Sequence, residues 1–223
     1  MIKHKVFSKA ALTGLFVIVV SVWMMIVGRV ETAGIWLPEG FKVPILAIEF
    51  GSSVPELHKI VASISEESSA RILYATQIDM LFLVVYNLFL FFLLKAIYEI
   101  TKLNQYKWLA LLPVIIMLAD IAENFQIFYA LGNLEINMLV LQTSTWFKWF
   151  GLSIAFTAIG RFLITTDRYF DKVLALSTFV TVPLGIWAMF SHSGINEVFA
   201  MLFYLLFPMT IIYAWFPGIK KKA

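Results

Sequence analysis

The chain has 223 residues, of which 61% are hydrophobic and only 14% charged, with a strongly positive mean hydropathy. Soluble domains carry roughly 25% charged residues, so this composition excludes an ordinary soluble fold and makes a lipid bilayer the natural solvent and first partner. Cysteine is absent, which excludes disulfides, thiol catalysis and thiolate metal sites, and the formal charge of +3 comes from scattered basic residues that form no stripe for a nucleic acid to follow.

The first apolar run, 10–28, follows the basic segment 1–9 and has the flanks of a signal peptide. Its apolar stretch is too long for one, so it reads as a retained first helix. Further runs at 72–97, 108–131, 138–163, 173–191 and 196–216 are each long enough to cross the hydrocarbon, which takes about 20 apolar residues. The expected fold is therefore an all-α, polytopic transmembrane helix bundle of about six spans, a single domain covering 1–223.

Basic residues orient such a bundle, because loops on the cytoplasmic side are rich in Lys and Arg. Lys3, Lys5 and Lys9 precede the first span; Lys95, Lys102 and Lys107 bracket the second-to-third loop. Arg161, Arg168 and Lys172 bracket the fourth-to-fifth loop, and Lys220, Lys221 and Lys222 form the tail. Both termini are thus expected inside, as in a multi-pass protein of the bacterial inner (plasma) membrane.

The 29–71 segment then lies outside and is too long for a plain loop. Within it Val54, Leu57, Ile60, Val61 and Ile64 recur at helical spacing between Glu56, Lys59 and Glu66, which predicts an amphipathic helix with a Ser53 cap and Pro55 in its first turn. Such a helix either connects two spans along the membrane surface or closes over a site as a lid.

Ionisable groups inside spans cost roughly 2.5–3.5 kcal/mol each on insertion scales, so they face protein or water. Asp79 falls in the second span, Asp120 and Glu123 in the third and Lys148 in the fourth. At about 1.5 Å per residue, Asp79 and Asp120 come out at one level, Glu123 a turn further out and Lys148 near the midplane. Asp120, Glu123 and Asn124 share a helix face; Asp79 shares one with Tyr86; Lys148 shares one with Ser144, Thr145, Gly151 and Ala155. These spacings predict an outward-opening polar site among spans two to four, made of Asp79, Asp120, Glu123, Asn124, Lys148, Tyr86 and Thr145, with His192, Asn196 and Glu197 at its rim. Three carboxylates against one ammonium call for a protonated carboxyl, a bound cation, or Arg71 or Lys59 folded down from the outer segment. A scaffold role, with the polar groups fixing helix register, is the plainer alternative. Trp36, Trp108, Trp146, Trp149, Trp187 and Trp215 read mostly as membrane-interface residues.

The run Asp120-Ile-Ala-Glu123-Asn124, followed by Thr145-Trp-Phe-Lys148-Trp149, resembles a family of polytopic bacterial membrane proteins with D-x-x-E-N in one span and K-W in the next. The resemblance covers about residues 50–160; the family carries no assigned activity, so it implies the site and no chemistry.

Three functions fit these residues. The first is binding of a small molecule, lipid headgroup or cation, with or without transport; no inverted repeat or matched pair of broken helices favours transport. The second is a membrane-embedded enzyme acting on a lipid or holding a hard cation on Asp79, Asp120 and Glu123; no hydrolase, kinase or zinc motif supports it, and no cofactor is implied. The third is a non-catalytic subunit of a homo- or hetero-oligomer, for which an exposed apolar patch or free small-residue faces such as Gly151, Ala155, Ala158 and Gly160 would speak.

Overall fold

The computed structural model describes residues 2–132 and 134–218, with side chains from Val6 onward. The side chains of Lys3 and Lys5, and the basic tail Lys220, Lys221 and Lys222, lie outside the described residues. Among the described residues every regular element is helical: α1 (Ile2–Val27), α2 (Pro44–Glu49), α3 (Val54–Ser63), α4 (Glu66–Thr101), α5 (Asn104–Leu109), α6 (Leu112–Leu131), α7 (Met138–Leu163), α8 (Tyr169–Phe179), α9 (Thr181–Phe190) and α10 (Ile195–Trp215). Five stretches are long and apolar enough to cross a membrane: Val6–Val27, Glu66–Thr101, Asn104–Leu131, Tyr169–Phe190 and Ile195–Trp215.

Local chemistry sets where these helices start and break. Ser65 accepts a hydrogen bond from the Ser68 amide at 3.3 Å, so α4 begins at Glu66, before the apolar run itself, and continues for 36 residues. At about 1.5 Å per residue that is roughly 54 Å, well beyond a 30 Å hydrocarbon core. Pro113 and Pro183 lack an amide hydrogen and crowd the carbonyl four residues back. The chain accordingly breaks just before each, between α5 and α6 and between α8 and α9. Two of the expected continuous runs are therefore interrupted, each made of two helices.

α7 sits in the middle, packed by α6 on one side and by α8 and α9 on the other. A Cβ on Gly151 would come within 2.6 Å of Ile116 Cγ1, and one on Gly160 would overlap the Thr178 hydroxyl. The small residues of α7 are thus used for close packing inside the chain. Trp149, expected at the membrane interface, is 7% exposed and packs its ring against Phe203 at 5.3 Å and Phe199 at 5.8 Å.

The segment between α1 and α4 folds back onto the bundle. α3 begins at Val54 with Ser53 accepting from the Glu56 amide, and it buries Leu57 and Ile60. α2 has no side-chain cap of its own. The Glu197 carboxylate of α10 supplies one instead, accepting from the Lys42 amide at 2.7 Å and the Val43 amide at 2.5 Å.

Candidate functional site

α4 and α6 run antiparallel side by side, and two hydrogen bonds fix their register. Asn124 Nδ2 donates to Asp79 Oδ2 at 2.6 Å, and the Tyr86 hydroxyl donates to Asp120 Oδ2 at 2.5 Å. Asp79 is therefore level with Asn124, about one turn away from Asp120, a small correction to the depth derived from sequence alone. α7 then brings Lys148 between the carboxylates. Its ammonium lies 3.4 Å from Asp120 Oδ1 and is also paired with Glu123 Oε2. Thr145, one turn along α7, donates to the other Glu123 oxygen at 2.5 Å. The residues expected from sequence on three separate helices do converge, and Asp120, Glu123, Asn124, Thr145 and Lys148 are all buried.

The structure adds a residue that the sequence pattern leaves in the outer segment. Glu49, at the C-terminus of α2, reaches Lys148 Nζ with Oε2 at 3.2 Å, and its backbone carbonyl lies 3.2 Å from the Thr145 hydroxyl. Burial pushes the Glu49 carboxyl up, against the opposing pull of the Lys148 ammonium. The other expected charges do not arrive: Arg71 pairs with Glu67 at 3.0 Å, and Lys59 sits 3.7 Å above the Trp36 ring. Three carboxylates therefore surround one ammonium, and Asp79, bonded to Asn124, is a fourth in the same cluster. A sequence signal for Glu49 exists in Pro44-Ile-Leu-Ala-Ile-Glu49-Phe, an apolar run out of character for a solvated loop.

Of the residues expected at the rim, His192 and Glu197 hold the folded-back segment in place, while Asn196 ties the α9–α10 turn to α9. His192 Nε2 lies 2.8 Å from Glu56 Oε1, Asn196 donates to the Ala188 carbonyl at 3.0 Å, and Glu197 caps α2. Gln142 adds contacts to the Gly51 and Ser52 carbonyls at 3.2 Å. His192 and Asn196 also line a cavity of about 140 Å³ that ends on Glu49.

Two larger cavities meet at the charged cluster. The upper one, about 480 Å³, runs beside the 29–71 segment and is bordered by Arg29, Thr32, Lys42, Glu49 and Asp79. The deep one, about 430 Å³, has Glu49, Asp79, Asp120 and Lys148 at one end and apolar side chains such as Val17, Phe82, Phe207 and Ile211 around the rest. Both fall in the 300–1,000 Å³ range of small-molecule sites. Met24, Met25, Leu46, Glu49, Asp79 and Tyr204 border both. The exposed lining residues Ile18, Val22 and Met25 of α1, with Met201 and Tyr204 of α10, put a mouth on the flank of the bundle. Access is thus sideways between α1 and α10 as well as toward the folded-back segment.

Chemically, the cluster is a cation-attracting end on an otherwise apolar pocket. Among the described residues no three His, Asp or Glu side chains are grouped as metal ligands, and the Lys148 ammonium stands between the carboxylates where an ion would sit. No protein family, curated protein or solved structure matches the chain.

Proposed function

We propose that this is a six-span integral membrane protein, with both termini cytoplasmic, that binds an amphiphile with a cationic headgroup at the polar cluster. The observation that carries the reading is an apolar, side-opening cavity that ends on Glu49, Asp79, Asp120 and Lys148, with Glu123 as a further carboxylate paired to the one lysine. A buried excess of negative charge is costly unless a positive partner arrives, and an ammonium headgroup would supply it while its chain occupies the apolar part. The carboxylate of Asp79, bonded to Asn124 and bordering both cavities, is the group placed to receive it.

In this topology α7 joins the five long apolar stretches as a sixth crossing segment, and the folded-back 29–71 segment covers the site from outside. The positions of the basic loop residues support that orientation. The resemblance to polytopic bacterial proteins supports the inner membrane as its home. Binding of hexadecylamine and of hexadecanol to the purified protein, compared by native mass spectrometry, tests the reading. The amine is expected to bind and the alcohol to bind far more weakly; equal binding of both would remove the cluster from the function.

A further inference from the structure

Resting on that reading of the site, the charge order along the cavity identifies the ligand more narrowly. Three walls give the same order independently. Along α4, Ile72 and Thr76 border the upper chamber, Asp79 the junction, and Phe82 and Tyr86 the deep chamber. Along α1, Gly28 and the adjoining Arg29 come first, then Met25 and Met24, then Val17. Along α10 the series is Met201, Tyr204, Phe207, Ile211. Each step from Ile72 to Asp79 and from Asp79 to Tyr86 is seven residues, or about 10 Å of helix rise.

Chemistry changes in step with this order. The upper chamber carries the basic groups Arg29 and Lys42, both exposed. The junction carries Glu49 and Asp79, with Asp120 and Lys148 just inside the deep chamber. Beyond them the wall is aliphatic and aromatic apart from Ser21, whose hydroxyl is donated to the Val17 carbonyl. A ligand complementary to all three zones has an alkyl chain, then an ammonium, then an anionic group. Common zwitterionic phospholipids have the opposite order, with phosphate nearer the chain and the amine at the tip. Entering chain-first, such a lipid would set its phosphate against the carboxylates of Glu49 and Asp79, where like charges repel.

We propose that the cavity binds a single-chain aminolipid in which the ammonium stands between the alkyl chain and an anion, the chemistry of a phosphorylated long-chain base or of a long-chain 2-amino acid. The chain fills the deep chamber between α1, α4 and α10, the ammonium meets Asp79 and Glu49, and the anion meets Arg29 and Lys42.

Equilibrium binding to the purified full-length protein, read by native mass spectrometry, tests this with four probes: sphinganine 1-phosphate, 2-aminohexadecanoic acid, sphinganine, and lysophosphatidylethanolamine of matched chain length. One charge-assisted contact is worth roughly tenfold in affinity, so at least one anionic probe should exceed sphinganine by about that factor. The double variant Arg29→Gln/Lys42→Gln changes only exposed side chains, and it should erase the advantage while leaving sphinganine binding unchanged. The tighter of the two anionic probes tells phosphate from carboxylate. If sphinganine binds but the anion adds nothing, or if lysophosphatidylethanolamine binds as well as sphinganine 1-phosphate, the proposed charge order is wrong and the cationic-headgroup reading survives. If none of the amines binds better than a matched alcohol, both fall.

Discussion

The Lys148 ammonium of α7 lies 3.2 Å from the carboxylate of Glu49, at the end of a short helix that belongs to the segment between α1 and α4. One ion pair thus ties the folded-back segment to the centre of the bundle. Lys148 is only 6% exposed, and its other carboxylate neighbours, Asp120 and Glu123, are 3% and 0% exposed. Removing the ammonium would leave several buried carboxylates without their counter-charge. Lys148→Met is expected to destabilise the protein by about 3–5 kcal/mol, the usual consequence of taking one partner from a buried ion pair. Thermal unfolding in micelles reads this, and Lys148→Met/Glu123→Gln should recover part of the loss. An unchanged midpoint for Lys148→Met would show that the cluster is neutral without it.

The hydrogen bond from Tyr86 to Asp120 sets the α4–α6 register at the deep end, as Asn124 to Asp79 does nearer the folded-back segment. Tyr86→Phe keeps the ring and its packing against Phe82 and Phe207 and deletes only the hydroxyl. Hydrogen bonds to charged groups contribute about 1.5–3 kcal/mol, so a loss of that order is expected. A double-mutant cycle with Asp120→Asn should show coupling between the two; additive losses would mean that the bond contributes nothing in the membrane-like environment.

Asp79 differs from the other carboxylates in having no lysine partner among the described contacts, with Asn124 as its hydrogen-bond donor. Asp79→Asn removes the charge and preserves shape. Stability should change by less than about 1 kcal/mol, since a side-chain amide also finds partners and a carboxylate near other carboxylates is relieved. Hexadecylamine binding should weaken roughly tenfold, the worth of one charge-assisted contact. A variant that binds the amine unchanged would move the headgroup site elsewhere in the cluster.

Much of the polar cluster is legible in the sequence. Carboxylates and a lysine in otherwise apolar runs are improbable unless they meet, and helical periodicity places Asp120, Glu123 and Asn124 on one face, as they are in α6. The positions of Pro113 and Pro183 mark where apolar runs break, yet hydropathy alone reads through them. Glu49 escapes such a reading because an acid in an extramembrane segment carries no penalty to notice. The apolar run around it is the one hint in the sequence, and the burial of Leu46, Ala47 and Ile48 shows that the segment re-enters the bundle. The fate of Arg71 and Lys59 is equally out of reach of sequence, since an exposed Glu67 or a Trp36 face competes for each at little cost.

Gly40 anchors the folded-back segment by backbone rather than charge. Its φ of +84° lies in the left-handed region, and a Cβ there would come within 2.7 Å of the Gly194 amide nitrogen. Gly40→Ala therefore meets both strain and a clash with backbone that cannot rotate away, costing about 1–3 kcal/mol at that position. Hydrogen exchange should quicken at the Lys42 and Val43 amides, which the Glu197 carboxylate now holds. Protection that stays at the wild-type level would mean that the Gly40 approach adds nothing to the Glu197 cap at these amides.

The topology rests on α7, which is 26 residues long but less apolar than the five stretches that qualify on hydropathy. The reason lies in its interior face: Ser144, Thr145, Lys148, Ser153 and Gly160 are all buried against other helices, so their polarity never meets lipid. At about 1.5 Å per residue the helix is roughly 39 Å long, enough to cross. If it crosses, residues 134–137 lie on the opposite side from residues 164–168 and, with α6 crossing as well, on the same side as the 29–71 segment. The chain has no cysteine, so single cysteines report position directly. Ala33→Cys and Glu135→Cys, both at exposed positions, should react with a membrane-impermeant maleimide in intact cells. Gln105→Cys and Thr165→Cys, also exposed, should react only after the membrane is opened. Reaction of Gln105→Cys in intact cells, with Ala33→Cys protected, would invert the orientation. Labelling of Thr165→Cys together with Glu135→Cys in intact cells would mean that α7 turns back without crossing, and the six-span arrangement would fail.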